Sequence, residues 1–186
     1  MRAETPARWR RPRSRESEPM GWIDWTLAGF ILANVAAAMS GAVFKPGAWY
    51  KSLTKPWWTP RDWMFPVVWT LIFAMIAVSG WMAYRAAGGI AAAPWAFAAY
   101  FAQLALNAGW SAVFFGLKRP DLGLLEVAFL WLAILINLVL FLMIDWRAGL
   151  LLAPYFAWVT VAANLNRAIW RLNPDESGFR PSLGKA

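Results

Sequence analysis

The chain has 186 residues, 60% of them apolar and 15% charged, with 18 Lys and Arg against 10 Asp and Glu. A soluble domain is roughly 45–50% apolar and about 25% charged, and a fold of this length cannot bury such an excess of apolar surface. There is no Cys and no His, which excludes disulfides, Cys/His zinc sites, thiol nucleophiles, imidazole bases and His or Cys ligation of haem.

Residues 1–20 mix Arg2, Arg8, Arg10, Arg11, Arg13 and Arg15 with Glu4, Glu16, Glu18 and three prolines. This composition predicts a disordered basic extension. A single membrane domain is expected over 21–173, followed by a polar tail over 174–186. A bilayer span needs about 20 predominantly apolar residues. Five stretches qualify: Trp22–Phe44, Trp63–Tyr84, Pro94–Leu117, Leu122–Ile144 and Ala148–Trp170. The first is longer than the roughly 7–15-residue apolar core of a signal peptide, which favours a span over that rival. None alternates as a barrel strand does, so the runs predict helices. The fold class is an all-α membrane protein, a five-transmembrane-helix bundle.

The basic residues lie in the N-terminal extension and in short loops, a pattern of membrane orientation rather than nucleic-acid binding. Lys45, Lys51, Lys55 and Arg61, then Lys118 and Arg119, then Arg167, Arg171, Arg180 and Lys185 share one side of a five-span topology. Arg85 and Arg147 occupy the other, with the N-terminal arginines. Positive residues mark the cytoplasmic side, so the 45–62 loop and the C-terminus are expected there.

Polar and small residues give the spans faces. On the third, Gln103, Asn107, Trp110 and Phe114 fall on one helical face. Ala98, Ala102, Ala105 and Gly109 form a small-residue stripe suited to close helix packing or a homodimer. On the first span Gly29, Ala33, Ala37 and Gly41 form a similar ladder. Trp69, Phe73, Ile76 and Gly80 line a face of the second, and Trp158, Ala162 and Asn166 a face of the fifth. Asn107 either ties two helices together or lines a pocket; the residues alone leave both open. Pro66 and Pro154 are expected inside helices, where proline loosens the backbone ladder. An aromatic cavity opening toward the 45–62 loop follows, suited to a flat, largely apolar ligand. Trp49, Tyr50, Trp57, Trp58 and Trp63 with three prolines make that loop a candidate lid, and its cations suit ligand carboxylates. Trp22, Trp25, Trp81, Trp95, Trp146 and Trp170 lie near span ends and read as interfacial belt residues. Trp131 reads as packing, and Glu126 as reaching toward Lys118 or Arg119. No metal site is visible.

The segments AWYKSLTKPWWTP, WMFPVVWTLIF, QLALNAGWSAVFF and PYFAWVTVAANLNRAIWRLN resemble the TspO/MBR family of tryptophan-rich sensory and translocator proteins. The resemblance covers roughly residues 24–173. It implies a five-helix bundle, usually homodimeric, in a bacterial cell membrane for this short chain. It implies a pocket for tetrapyrroles such as protoporphyrin IX and haem and, in some members, cholesterol or benzodiazepine-type drugs, with no other cofactor required. Matching positions are Tyr50, Trp69, Phe73, Asn107, Trp110, Trp158 and Ala162, under a lid over Trp49–Trp58. Two features depart from the pattern: Pro60-Arg61 replaces a proline pair, and NLNRAIWRLN lacks the Tyr of the animal cholesterol motif. Two functions are expected from the resemblance: a sensor or translocator of porphyrins, or an enzyme degrading them in a light- and oxygen-dependent reaction through Trp69 and Trp158.

Overall fold

The structure is a computed structural model that describes residues 24–176. The basic extension, Trp22 and the residues after 176, including Arg180 and Lys185, lie outside the described residues. Among the described residues every regular element is helical. In chain order these are α1 (Trp25–Val43), α2 (Ala48–Ser52), α3 (Met64–Ala87), α4 (Pro94–Ser111), α5 (Pro120–Ile144), α6 (Trp146–Leu150) and α7 (Ala153–Leu172).

Local chemistry sets where the helices begin and end. The Asp24 carboxylate accepts the Thr26 and Leu27 amides at 3.0 and 3.1 Å and so caps α1. Helices α4, α5 and α7 start on a proline in the first turn, where the missing N–H costs nothing. Gly88, at φ 84, ends α3 by donating its N–H to the Tyr84 carbonyl. Pro66 and Pro154 lie inside helices, as the sequence suggested, but at positions where proline loosens no backbone ladder. Both lie in first turns, of α3 and α7.

Four helical units are long and apolar enough to cross a bilayer: Trp25–Val43, Met64–Ala87, Pro120–Ile144 and the α6–α7 pair, Trp146–Leu172. The expected third span, α4, is 18 residues long and is not among them. Gln103 and Asn107 lower its hydropathy, yet both are buried, and its exposed residues include Trp95, Ala98, Phe101, Ala102 and Ala105. α1 packs on α3 and α4, α4 on α5, and α5 on α7, while α6 folds back onto α3 and α5.

Tyr100 lies at the centre of the core, fully buried. Its ring stacks on Phe141 at 5.9 Å and meets the edge of Phe30 at 5.4 Å. Gly80 makes room for it, since a Cβ there would lie 2.8 Å from both the Phe30 and Tyr100 rings. The Tyr100 hydroxyl accepts a hydrogen bond from the Asn34 amide at 2.7 Å and donates to the Ile76 carbonyl at 3.3 Å, joining α1, α4 and α3.

Gly149 is the tightest backbone approach, where a Cβ would lie 2.6 Å from the Leu142 backbone nitrogen. Gly149→Ala should therefore cost about 1–3 kcal/mol of stability by overpacking. Gly29→Ala, inside α1 with nothing within 4 Å of its Cβ position, should instead stabilise by about 0.5–1 kcal/mol through helix propensity. Thermal unfolding in detergent measures both.

At the opposite end of the bundle from α2, Asp24 also accepts the Trp81 indole N–H at 2.8 Å. The Leu27 amide above all, and then the Trp81 indole, hold its carboxyl below the usual 3.8. A depressed carboxylate contributes stability in full above its unfolded value, and loses it as pH falls through the folded value. Asp24→Ala should thus lower the Tm near pH 7, and the loss should shrink as the pH falls through the folded value.

Candidate functional site: an aromatic chamber under a loop

Three helices and the loop converge at the end of the bundle that carries α2. On α3, Phe65, Trp69 and Phe73 follow at four-residue spacing. On α7, Tyr155, Trp158, Ala162 and Asn166 share a face, and on α4 so do Asn107, Trp110 and Phe114. The Trp69 ring packs on Phe73 at 5.5 Å and on the edge of Tyr155 at 6.2 Å. Phe65 meets Trp158 edge-on at 5.8 Å, so α3 and α7 are bridged by two aromatic pairs. Ala162 sits one turn beyond Trp158, half-buried.

Hydrogen bonds fix α4 against α7. The buried Asn107 amide donates to the Tyr155 hydroxyl at 2.9 Å. The Trp110 indole donates to the Asn166 carbonyl oxygen at 3.3 Å, and the Asn166 amide donates to the Pro120 carbonyl at 2.7 Å. Asn107 is thus a tie between helices as well as a lining residue. The Trp158 indole N–H is buried and has no partner, as have both polar atoms of Gln103.

The last turn of α4 continues as a π-helix over Ala112–Gly116. This wider turn presents Phe114 and Phe115 together to the loop. Tyr50 packs on both rings, at 6.2 and 5.4 Å, and Trp49 on Phe114 at 5.9 Å. Phe114 in turn stacks on Trp110 at 4.9 Å. Within the loop α2 places Tyr50 and, just past its end, Leu53 on one side, both buried against Phe114, Leu165 and Ile169. Burial, with the Asp62 carboxylate second, pushes the Tyr50 phenol above its ordinary value and keeps it neutral. The Lys55 ammonium lies 4.6 Å over the Tyr50 ring.

Not every predicted residue joins this chamber. Trp57 is 96% exposed and Trp58 is exposed, so neither stacks in the site. Ala98, Ala102 and Ala105 face outward, while Gly109 is half-buried. Glu126 does not reach Lys118 or Arg119. Both of its oxygens are buried without partners, and the site a Gly109 Cβ would occupy is 3.7 Å from Oε1. Arg119 instead pairs with Asp121 at 2.6 Å. Trp131 packs on Phe156 at 4.7 Å and donates to Thr160, in keeping with a packing role. Trp25, Trp95 and Trp146 are exposed near helix ends as belt residues should be, but Trp81 is committed to Asp24. At the expected cavity the rings pack against one another. Two open clefts lie elsewhere: about 350 Å³ beside Trp81 and Arg85, and about 300 Å³ between α5 and α7 beside Trp131 and Asn164.

The sequence profile of the TspO/MBR family matches residues 29–171. The chain belongs to the TspO/MBR family. Together with its apolar helices, this makes it an integral membrane protein. It is 42% identical over 149 residues to "Protein CrtK" of Rhodobacter capsulatus, an overlap of 80% of this chain and 93% of that protein. It is 39% identical over 152 residues to "Tryptophan-rich sensory protein" of Cereibacter sphaeroides, covering 81% and 94%. The human "Translocator protein" is 30% identical over 158 residues, covering 82% and 90%. The motifs quoted above, all but the last two residues of the α7 motif, lie within the matched stretch and contain most of the chamber.

Phe65, Phe115 and Tyr155 complete the chamber; of these only Tyr155 had been noted from sequence, beside the Trp158 face. The signal for two of them was helical spacing, since Phe65 precedes Trp69 by four residues and Tyr155 precedes Trp158 by three. Tyr155→Phe would strand the Asn107 amide and should cost about 1–3 kcal/mol. The Asn107→Leu, Tyr155→Phe double variant should lose less than the sum of the single losses, which a double-mutant cycle by thermal unfolding measures.

Proposed function

We propose that this chain is a five-transmembrane-helix protein that binds a tetrapyrrole, a porphyrin or haem, and acts as its sensor or translocator. The observation that carries this reading is the convergence of Tyr50, Trp69, Trp110, Tyr155 and Trp158 from three helices and a loop. A flat macrocycle matches stacked and edge-on rings, and the loop cations match its carboxylates. The unpartnered Trp158 N–H is a donor buried beside the rings, free for a ligand acceptor. A haem iron would find neither imidazole nor thiolate here, so stacking and hydrogen bonds would hold the ring. The names of the relatives, a sensory protein and a translocator, support the same reading.

The fifth span is α4. Its amides point inward and its exposed face is apolar, so its low mean hydropathy does not oppose insertion. The outward stripe of Ala98, Ala102 and Ala105, continued by Gly109, suits a homodimer seam. The basic loops support a cytoplasmic side for the 45–62 loop and C-terminus, in a bacterial cell membrane.

Titration of the purified protein with protoporphyrin IX, followed by tryptophan fluorescence in light and in dark, tests the reading. Saturable quenching is expected, weakened about tenfold or more by Trp69→Ala with Trp158→Ala, the loss of two ring contacts at about 0.5–1.5 kcal/mol each. Unsaturable quenching overturns it. Loss of porphyrin absorbance in light that requires both tryptophans would instead support degradation.

A further inference from the structure

The end of α7 is tied to the loop. The Asn173 carbonyl oxygen accepts the Thr54 backbone N–H at 2.9 Å, and its amide donates back to the Thr54 carbonyl at 2.9 Å. The same amide nitrogen donates its other hydrogen to the Ile169 carbonyl at 2.7 Å. One side chain therefore closes the C-terminus of α7 and grips both backbone groups of a loop residue 119 positions away. Three residues later the Glu176 carboxylate accepts the Trp49 indole N–H at 2.8 Å. Between these two grips lie Tyr50 and Leu53, the residues that cover Phe114.

We propose that Asn173 is a positioning residue for the lid: its amide latches the 48–55 segment over the aromatic chamber, and its release admits the ligand. The inference rests on the ligand reading above for what passes the lid, but not for the latch itself. Two physical features suit a releasable closure. The apolar contacts of Tyr50 and Leu53 give the loop a defined seat. The Thr54–Asn173 and Trp49–Glu176 bonds are exposed, so water competes for them and each is individually weak. Lids are held by such low-stability contacts because they must open. The chamber below is closed by its own rings, so a macrocycle reaches Trp69 and Trp158 once the loop has lifted.

The test uses the full-length protein in detergent, with two readouts. Backbone hydrogen–deuterium exchange over residues 48–55 reports the latch. Stopped-flow tryptophan quenching by protoporphyrin IX reports entry and exit. In Asn173→Ala the exchange rate should rise roughly fivefold to tenfold, as expected for the loss of a net hydrogen bond or more. Association and dissociation rates should rise together, with Kd changing less than either. Glu176→Ala should act in the same direction, while Glu176→Gln, which keeps an acceptor for Trp49, should restore wild-type rates.

Asn173→Ala also removes a cap from α7, so a second variant isolates the lid. The chain has no cysteine of its own. Thr54→Cys with Asn173→Cys, joined by a short reducible bis-thiol linker, should slow both rates, and reductant, which leaves neither the linker nor the Asn173 amide, should raise them in the same sample to those of Asn173→Ala. Unchanged exchange and unchanged rates in Asn173→Ala and in the crosslinked protein overturn the latch. If wild-type protein takes up no protoporphyrin while Asn173→Ala still loosens the loop, the tetrapyrrole reading fails and the latch stands.

Discussion

Hydrocarbon offers no hydrogen bonds, and this constraint organises the whole molecule. Lipid tails are as apolar as leucine, so helices do not associate in a bilayer by hiding apolar surface from water. Most polar side chains in the spans find partners on neighbouring helices, Gln103 and Glu126 excepted. Here these partnerships form a chain of ties. Asn34 and Tyr100 join α1, α4 and α3. Ser79 donates to Ala148 and links α3 to α6, and Asn137 donates to Ala96 and links α5 to α4. Asn107 with Tyr155, and Trp110 with Asn166 and Pro120, close α4 onto α7 and α5. Each long helix is held to another by at least one such bond.

The candidate site is the end of this network where aromatic rings join the amides. Asn107 and Asn166 hold the helices at a fixed separation, and the aromatic rings fill the space between them. The π-helical turn at the end of α4 adds a second ring, Phe115, beside Phe114, and together they seat Tyr50. The site is therefore rigid on its helical walls and held by weaker, exposed bonds at its loop. That division suits the ligand entry proposed above, which needs a lid that opens over fixed walls.

Much of this was legible in the helical spacing. The inward faces of α3 and α4 follow from the 3.6-residue period, and Trp69, Asn107, Trp110 and Trp158 were chosen from it. Trp57 was chosen as well because aromatic density in a loop does not say which ring turns inward. Its place after α2 sends it out to solvent. Glu126 was assigned to lysine and arginine neighbours by proximity in sequence, but its helix turns it toward Gly109 instead. Pro66 and Pro154 were expected to loosen the backbone ladder, but their helices begin just before them, at Met64 and Ala153, where no ladder bond is lost.

The sequence by itself determined the solvent of this protein, its helical class, its family and the residue types that any chemistry must use. Solvent, class and residue types follow from composition and period, which are local and additive; the family follows from the resemblance of its motifs. Only the tertiary structure decided which rings touch, that Asn107 meets Tyr155, that Glu126 is left without a partner, and that Asn173 grips Thr54. Those facts depend on the rotation of one helix against another and on a contact between residues 119 positions apart. No local property of either segment encodes that distance; it exists only once the bundle has closed.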